Sequence, residues 1–163
     1  MTLIYRNVFR MFAIFVLLIG AMTPVARAED DDDEHLPAVT NAKWQAECGA
    51  CHVAYPPRLL PRESWRAVMS GLDKHFGSDA SLDAITAREI SSFLDRNAGG
   101  SRRESSGKPI LRITETRWFQ HEHDEVSARV WKSNKVNSPA NCAACHSGAE
   151  GGNFSEHNIR IPR

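Results

Sequence analysis

The chain has 163 residues, of which 20 are basic and 20 acidic, so its formal net charge is zero at pH 7. This length is typical of one domain with one core. No basic stripe that could neutralise phosphates runs through the sequence, so nucleic acid is excluded as an expected partner.

The N-terminus has the pattern of a cleavable signal peptide. Arg6 and Arg10 precede or flank an apolar stretch, and Ala26 and Ala28 are the small residues that a signal peptidase recognises. The alternative is a retained membrane anchor, but the uncharged window Met11–Ala26 has 16 residues, against the roughly 20 needed to cross a bilayer. We therefore predict export to the periplasm, cleavage near Ala28 and no stable membrane anchor afterwards.

Removal of residues 1–28 changes the charge of the chain. The leader contains three of the 20 basic side chains and no acidic one, so the remaining 135 residues carry 17 basic and 20 acidic side chains, a net charge of −3. Six of the acids form the unbroken run Glu29–Glu34. Because like charges repel, residues 29–40 are predicted to be a disordered, solvated acidic segment. Attraction of a basic partner is the alternative role.

Residues 41–163 are predicted to form a mainly α domain with extensive loops. Apolar periodicity and start and stop signals predict five helices. In chain order they are Asn41–His52, about Arg62–Leu72, a helix from a capping box at Thr86 and Glu89 to a stop at Gly99, Glu115–Trp131, and a short helix that starts at Ser138-Pro139. The third helix is expected to bury Ile90, Phe93 and Leu94, and the tail from Gly148 onwards is expected to be irregular.

The four cysteines occur in two copies of C-x-x-C-H, at Cys48–His52 and Cys142–His146. This spacing is the signature of covalent haem attachment in c-type cytochromes. Two cysteines three apart on a helical turn face the same side, where each sulfur can add to one vinyl group of the porphyrin. The adjacent histidine is then the proximal iron ligand. We predict two haem c groups packed in the core, attached through Cys48, Cys51, Cys142 and Cys145, with His52 and His146 as proximal ligands.

Other uses of paired cysteines fit this sequence less well. A structural zinc site would bring together pairs closer in sequence than Cys48 and Cys142, which are 94 positions apart. A thioredoxin-like pair would lie in a βαβ unit, which the pattern lacks. Two structural disulfides would not require His52 and His146.

The second axial ligand decides between electron transfer and binding of an external ligand. Met69 is the one methionine left after the signal peptide is removed, and its place on an apolar helix stripe favours core packing. At most one haem can therefore have methionine ligation. His121 and His123, two apart on a predicted helix, cannot face the same way. The histidines outside the two motifs are His35, His75, His121, His123 and His157.

From Ala46 to Arg163 the chain resembles the small periplasmic dihaem cytochromes c, the DHC family. The resemblance implies bis-histidine ligation at both irons, with His75 and His123 as distal ligands, while His121 and His157 look like local variation. Pairing His75 with the first haem and His123 with the second rests on sequence proximity alone, so a crossed arrangement stays open. The segments that carry the resemblance are Glu47–His52, Tyr55–Pro57, Leu59–Pro61, Ser64-Trp65, Met69, Leu72–Gly77, Trp118-Phe119 with His123, the second haem motif, and Phe154 with Ile159–Pro162.

The resemblance also implies a function. It predicts a low-potential electron carrier, not an enzyme, that takes electrons from a membrane cytochrome b and delivers them to a high-spin monohaem cytochrome c. The alternative is a haem enzyme, such as a peroxidase or an oxyanion reductase, with one open iron and with His121 or Glu122 as an acid–base group. A haem-based ligand sensor is a third reading. The aromatic side chains expected around the macrocycles are Trp44, Trp65, Phe76, Phe93, Trp118, Phe119 and Phe154.

Overall fold

A computed structural model of the chain describes residues 39–100 and 107–162. The predicted signal peptide and the acidic run Glu29–Glu34 lie outside these residues. The described ranges contain five α-helices, connected by short 3₁₀ turns, and only isolated β-bridges in place of strands. The prediction of a mainly α fold is confirmed. The helices are α1 (Ala42–Cys48), α2 (Arg62–Ser70), α3 (Ala84–Asn97), α4 (Arg117–Glu122) and α5 (Ala128–Trp131).

Helix α1 carries the first haem motif at its C-terminal end. The Asn41 side chain accepts a hydrogen bond from the Trp44 amide at 2.8 Å and caps the N-terminus. The helix ends at Cys48, with Gly49 as its C-cap, rather than at His52 as predicted. Glycine is a poor helix former, so the chain leaves the helix inside the motif and His52 lies on the following turn.

The hydrophobic core lies between α1, α2 and α3. The rings of Trp44 and Phe93 have centroids 5.2 Å apart, and the indole nitrogen of Trp65 donates to the Pro57 carbonyl at 2.7 Å. Ile90, Phe93 and Leu94 face inward as predicted, and Met69 packs against the cluster from α2. The buried members of this core cluster are Trp44, Leu60, Trp65, Ile90, Phe93 and Leu94.

Helix α3 begins at Ala84, and its N-cap lies three residues before Thr86, the first residue of the predicted capping box. Its N-cap is Asp83, whose carboxylate accepts hydrogen bonds from the amides of Ile85 and Thr86 at 2.9 and 3.1 Å. Thr86 is therefore already inside the helix, and the predicted capping box is wrong. Glu89, its expected second member, instead forms an ion pair with Lys43 of α1.

The predicted fourth helix is interrupted. Thr116 caps α4 by accepting from the Phe119 amide at 3.1 Å, and His123 ends it. The one-turn helix α5 starts after Ser127, whose side chain makes no capping hydrogen bond. The His123 ring, by contrast, bonds to the Phe119 carbonyl at the end of α4. Side chains that bond to nearby backbone compete with a continuous helix, so one predicted helix becomes two short ones. The predicted helix after Ser138-Pro139 is also wrong, since only the 3₁₀ turn Cys142–Ala144 follows.

No helix in the described ranges has both the length and the apolar character required to span a bilayer.

Gly99, just beyond the end of α3, lies against the loop that precedes α2. Its amide donates to the Leu60 carbonyl at 2.9 Å, and it forms a parallel bridge with Pro61. A Cβ atom at this position would collide with the carbonyl oxygen of Arg58. The absence of a side chain is therefore what allows the two segments to approach each other.

Replacement of Gly99 by alanine is expected to lower the free energy of unfolding by about 1–3 kcal/mol, because the backbone at Arg58 must move to make room. Urea unfolding of the variant and the unchanged protein measures the difference. Gly71→Ala is the matched control, since a Cβ there meets the Ala67 carbonyl oxygen at an ordinary 3.6 Å. Equal losses in the two variants would show that the close approach at Gly99 is not the cause.

Candidate functional site

The first motif presents its histidine with a defined tautomer. Nδ1 of His52 lies 2.7 Å from the Val53 carbonyl oxygen. Because a carbonyl oxygen only accepts, Nδ1 must be the donor, which leaves the lone pair of Nε2 available for a metal. Cys48 is partly buried at the end of α1, and burial, followed by the charge of Glu47, raises the pKa of its thiol to about 11.

The second motif is held by a tight turn and by the C-terminal segment. The His146 amide donates to the Cys142 carbonyl at 2.8 Å, and the Arg160 amide donates to the Cys145 carbonyl at 2.8 Å. An isolated antiparallel bridge joins His146 to Ile159. The described part of the tail, predicted as irregular, contains two 3₁₀ turns but no α-helix or strand. It folds back over the second motif and fixes its backbone.

The imidazole of His146 is partly buried, and its Nδ1 has no hydrogen-bond partner of good geometry. Burial, and then the neighbouring His123, lower the pKa of His146, while the backbone of Phe154 acts in the opposite direction. The net result is a lowered pKa, which favours the neutral imidazole, the form that binds metals.

His75 is presented by a strained turn. The Ser78 amide donates to the His75 carbonyl at 3.0 Å, and the two residues between them, Phe76 and Gly77, have φ values of 51° and 103°. This left-handed backbone suits glycine or asparagine, and a bulky residue there costs about 1–3 kcal/mol. The Phe76 ring contacts the His75 imidazole edge-on, with centroids 4.8 Å apart.

His123 lies at the end of α4 with its ring held in place on both sides. Its Nδ1 donates to the Phe119 carbonyl at 2.9 Å, so its Nε2, like that of His52, is left for a ligand bond. The Phe119 ring stacks on it at 4.1 Å with an interplanar angle of 14°. Trp131 of α5 lies on another side, 6.0 Å away.

The four histidines form two facing pairs. The ring centroids of His52 and His75 are 6.2 Å apart, with an interplanar angle of 25°. Those of His123 and His146 are 6.0 Å apart, with an angle of 64°. These are the combinations expected from sequence proximity, and each pair contains one motif histidine and one candidate distal ligand.

The separation within each pair fits an intervening metal ion. An imidazole nitrogen binds a first-row metal such as zinc at about 2.0–2.1 Å and lies about 1.1 Å from its own ring centre, so two axial imidazoles on one metal have centres about 6.2–6.4 Å apart. The measured 6.2 and 6.0 Å lie at or near this value. The donor sets therefore fit haem iron, whose other ligands are porphyrin nitrogens. The four cysteines form no disulfide.

Tyr55 connects the two motifs. Its ring stacks on His52, with centroids 4.6 Å apart, and its hydroxyl donates to the Ala140 carbonyl at 2.7 Å, two residues before Cys142. Burial, followed by the charge of Cys142, raises the pKa of Tyr55 to about 12, so the hydroxyl stays protonated and keeps its donor role.

The aromatic side chains divide between the protein core and the histidine pairs. Phe76, Phe119 and Phe154 contact candidate axial ligands, Phe154 at 5.5 Å from His146. Trp44, Trp65 and Phe93, which were expected around the macrocycles, lie in the core cluster. The stacking of Tyr55 on His52 and the position of Trp131 near His123 were not predicted, because both depend on how the intervening turns orient side chains three and eight positions apart.

The remaining candidates lie away from these pairs. His121 is exposed at the C-terminal end of α4, and His157 is exposed on the 3₁₀ turn Glu156–Asn158. Met69 is partly buried against the core cluster, as its helix stripe indicated. His35 lies outside the described residues.

Comparison with known proteins gives consistent matches. The family model described as dihaem cytochrome c matches residues 44–154. The crystal structure of DHC purified from Rhodobacter sphaeroides is 51% identical, with a TM-score of 0.62, and the match covers 72% of this chain and 99% of that one. A diheme cytochrome c from Rhodobacter sphaeroides is 46% identical, with a TM-score of 0.65 and coverage of 72% and 98%. The X-ray structure of a diheme cytochrome type c from Shewanella baltica OS155 is 41% identical, with a TM-score of 0.65 and coverage of 75% and 93%. A search of curated proteins gives no significant match.

Proposed function

Because the chain belongs to the dihaem cytochrome c family, we propose that it is an electron carrier with two haem c groups, each closed on both faces by histidine. Membership of this family implies two covalently attached haems and a role in electron transfer. When bound, each haem supplies an iron that takes up and releases one electron. The protein supplies the attachment points, the axial ligands and the surroundings that set the potential.

The proposed attachment uses both motifs in the same way. Cys48 and Cys51 would form the thioethers of the first haem, with His52 as proximal ligand. Cys142 and Cys145 would form those of the second, with His146 as proximal ligand. The support is the C-x-x-C-H spacing of each motif.

The observation that carries the proposal is the facing arrangement of the histidine pairs. His75 lies opposite His52 at 6.2 Å and His123 lies opposite His146 at 6.0 Å. A second histidine this close to each motif histidine would occupy the sixth position and leave no open coordination site for a substrate, which favours electron transfer over catalysis. Histidine in place of methionine also favours a low reduction potential.

The residues around each pair support a rigid site. The backbone carbonyls of Val53 and Phe119 hold Nδ1 of His52 and His123, and stacked rings hold the imidazole planes. Hydrogen bonds of this kind to the nitrogen that does not bind the metal fix the orientation of a ligating imidazole and increase its basicity. A site that changes little between oxidation states needs little reorganisation for each electron transferred.

We further propose a periplasmic location and two redox partners. The signal-peptide pattern of residues 1–28 supports export. The resemblance to the small periplasmic dihaem cytochromes supports a membrane cytochrome b as electron donor and a high-spin monohaem cytochrome c as acceptor. Mixing the reduced protein with such an acceptor in a stopped-flow instrument would test this, and an unreactive pair would remove the acceptor from the proposal.

Carbon monoxide tests the closed ligation directly. We expect the reduced, purified protein to keep its absorption spectrum unchanged under carbon monoxide, because both irons already hold two imidazoles. An isolated monohaem cytochrome with an open sixth position serves as the positive control. Prompt binding at one haem would contradict the proposal and favour the alternative, an enzyme such as a peroxidase or an oxyanion reductase.

A further inference from the structure

The positively charged side chain of Arg112 lies near His75, the candidate distal ligand of the first haem, and the Phe76 ring contacts both. The guanidinium carbon of Arg112 lies 4.1 Å from the centre of the Phe76 ring. Phe76 in turn contacts His75 at 4.8 Å. The Phe76 ring therefore contacts both the Arg112 cation and the His75 imidazole. Cations bind the faces of aromatic rings in this way.

The backbone of the turn that carries Phe76 is strained. Phe76 has a φ of 51°, a conformation that glycine or asparagine adopts far more readily. The phenylalanine at this position provides a ring with one contact to His75 and another to Arg112. Strained residues of this kind cluster at functional sites.

We propose that Arg112 sets the reduction potential of the first haem by holding a positive charge beside its distal ligand. The inference rests on the proposed ligation of that haem by His75. An oxidised haem iron carries one more positive charge than a reduced one, so a nearby cation disfavours the oxidised state and raises the potential.

Glu115 counteracts Arg112 in a predictable way. Its carboxylate oxygen lies 3.6 Å from Nε of Arg112, one 3₁₀ turn further along the chain, and both side chains are about half exposed. A half-exposed pair is screened by water, so the carboxylate offsets the guanidinium only in part. Neutralising Glu115 should therefore change the potential in the opposite direction to neutralising Arg112.

The size of the effect follows from distance and screening. The contacts at 4.1 and 4.8 Å, together with the span of the imidazole, place the guanidinium at most about 12 Å from the iron site. Over this distance in a partly solvated setting, the charge changes the oxidation equilibrium about two- to fourfold. At 59 mV per tenfold change for one electron, this corresponds to about 20–35 mV.

The test compares four holoproteins with both haems attached: the unchanged chain, Arg112→Gln, Arg112→Lys and Glu115→Gln. Haem methyl signals followed by NMR during stepwise reduction give each haem its own potential, and proximity to the Phe119 ring, which stacks on His123, identifies the second haem. We expect Arg112→Gln to lower the first potential, Glu115→Gln to raise it and Arg112→Lys to leave it near the original value. The second haem should shift much less in every variant.

The possible failures are distinguishable. If the first haem stays closed to carbon monoxide but Arg112→Gln leaves its potential unchanged, or shifts both haems equally, the role of Arg112 is wrong while the proposed function stands. Shifts of the same sign in Arg112→Gln and Glu115→Gln would likewise reject a charge effect. If the unchanged protein binds carbon monoxide at the first haem, the ligation by His75 fails, and the role of Arg112 fails with it.

Discussion

Replacing His123 with alanine is expected to convert one of the two haems from low spin to high spin. The imidazole of His123 faces that of His146 across 6.0 Å, and removing it would leave that iron with an open sixth position. The absorption spectrum of the oxidised variant should then show one high-spin and one low-spin haem. Reduced protein should bind one equivalent of carbon monoxide where the unchanged chain binds none.

His121 provides a matched control on the same helix. It lies two residues before His123, at the exposed C-terminal end of α4, and His121→Ala should leave both haems low-spin. His75→Ala should open the other haem, and the double variant with His123→Ala should open both. A His123→Ala protein that keeps two low-spin haems would show that another side chain is the ligand.

The parts of the molecule that sequence could predict are those set by local spacing. The C-x-x-C-H motifs place cysteine and histidine within a single turn, so the candidate proximal ligands need no knowledge of the fold. Helix α3 was predicted because Ile90, Phe93 and Leu94 follow a helical period. In the structure these three side chains are buried in the core cluster between the three helices. The distal candidates His75 and His123 came from resemblance, since nothing in their immediate sequence distinguishes a ligand from a surface histidine.

The parts that sequence did not predict depend on side chains that bond to backbone or to distant segments. Periodicity over Glu115–Trp131 indicated one helix, but the side chains of Thr116 and His123 bond to backbone at the two ends of α4. This break is what allows His123 to turn towards His146. The stack of Arg112 on Phe76 joins positions 36 residues apart, and no local pattern indicates it.

The two haem sites differ in how much protein supports them. The first motif adjoins the core cluster of α1, α2 and α3, in which six large or apolar side chains are buried. Within residues 107–162, α4 and α5 have 6 and 4 residues. The buried apolar side chains there are Phe119, Val136 and Ala149. Helices this short are unstable without tertiary packing, so residues 107–162 are the part of the chain that needs a haem as its core.

Removing the second attachment site is therefore expected to have a larger structural effect than removing the first. The double variant Cys142→Ala/Cys145→Ala should be purified with one haem, with a mass lower by one tetrapyrrole and about half the haem absorbance per chain. Without the macrocycle, α4, α5 and the C-terminal segment lose their main apolar partner, so limited proteolysis should cut within residues 107–162 first. The fragment that survives should contain the core cluster.

The reverse variant, Cys48→Ala/Cys51→Ala, is the control for haem loss as such. It should also carry one haem, but its core cluster does not depend on the missing macrocycle. Trp44 and Trp65 should therefore remain buried, and proteolysis should be slower than in the Cys142→Ala/Cys145→Ala variant. The single variant Cys142→Ala retains one thioether position and His146. A larger fraction of its purified chains should therefore carry the second haem than in the double variant. If both double variants are cut at the same rate and at the same sites, the second haem does not stabilise residues 107–162 in the way their sparse core indicates.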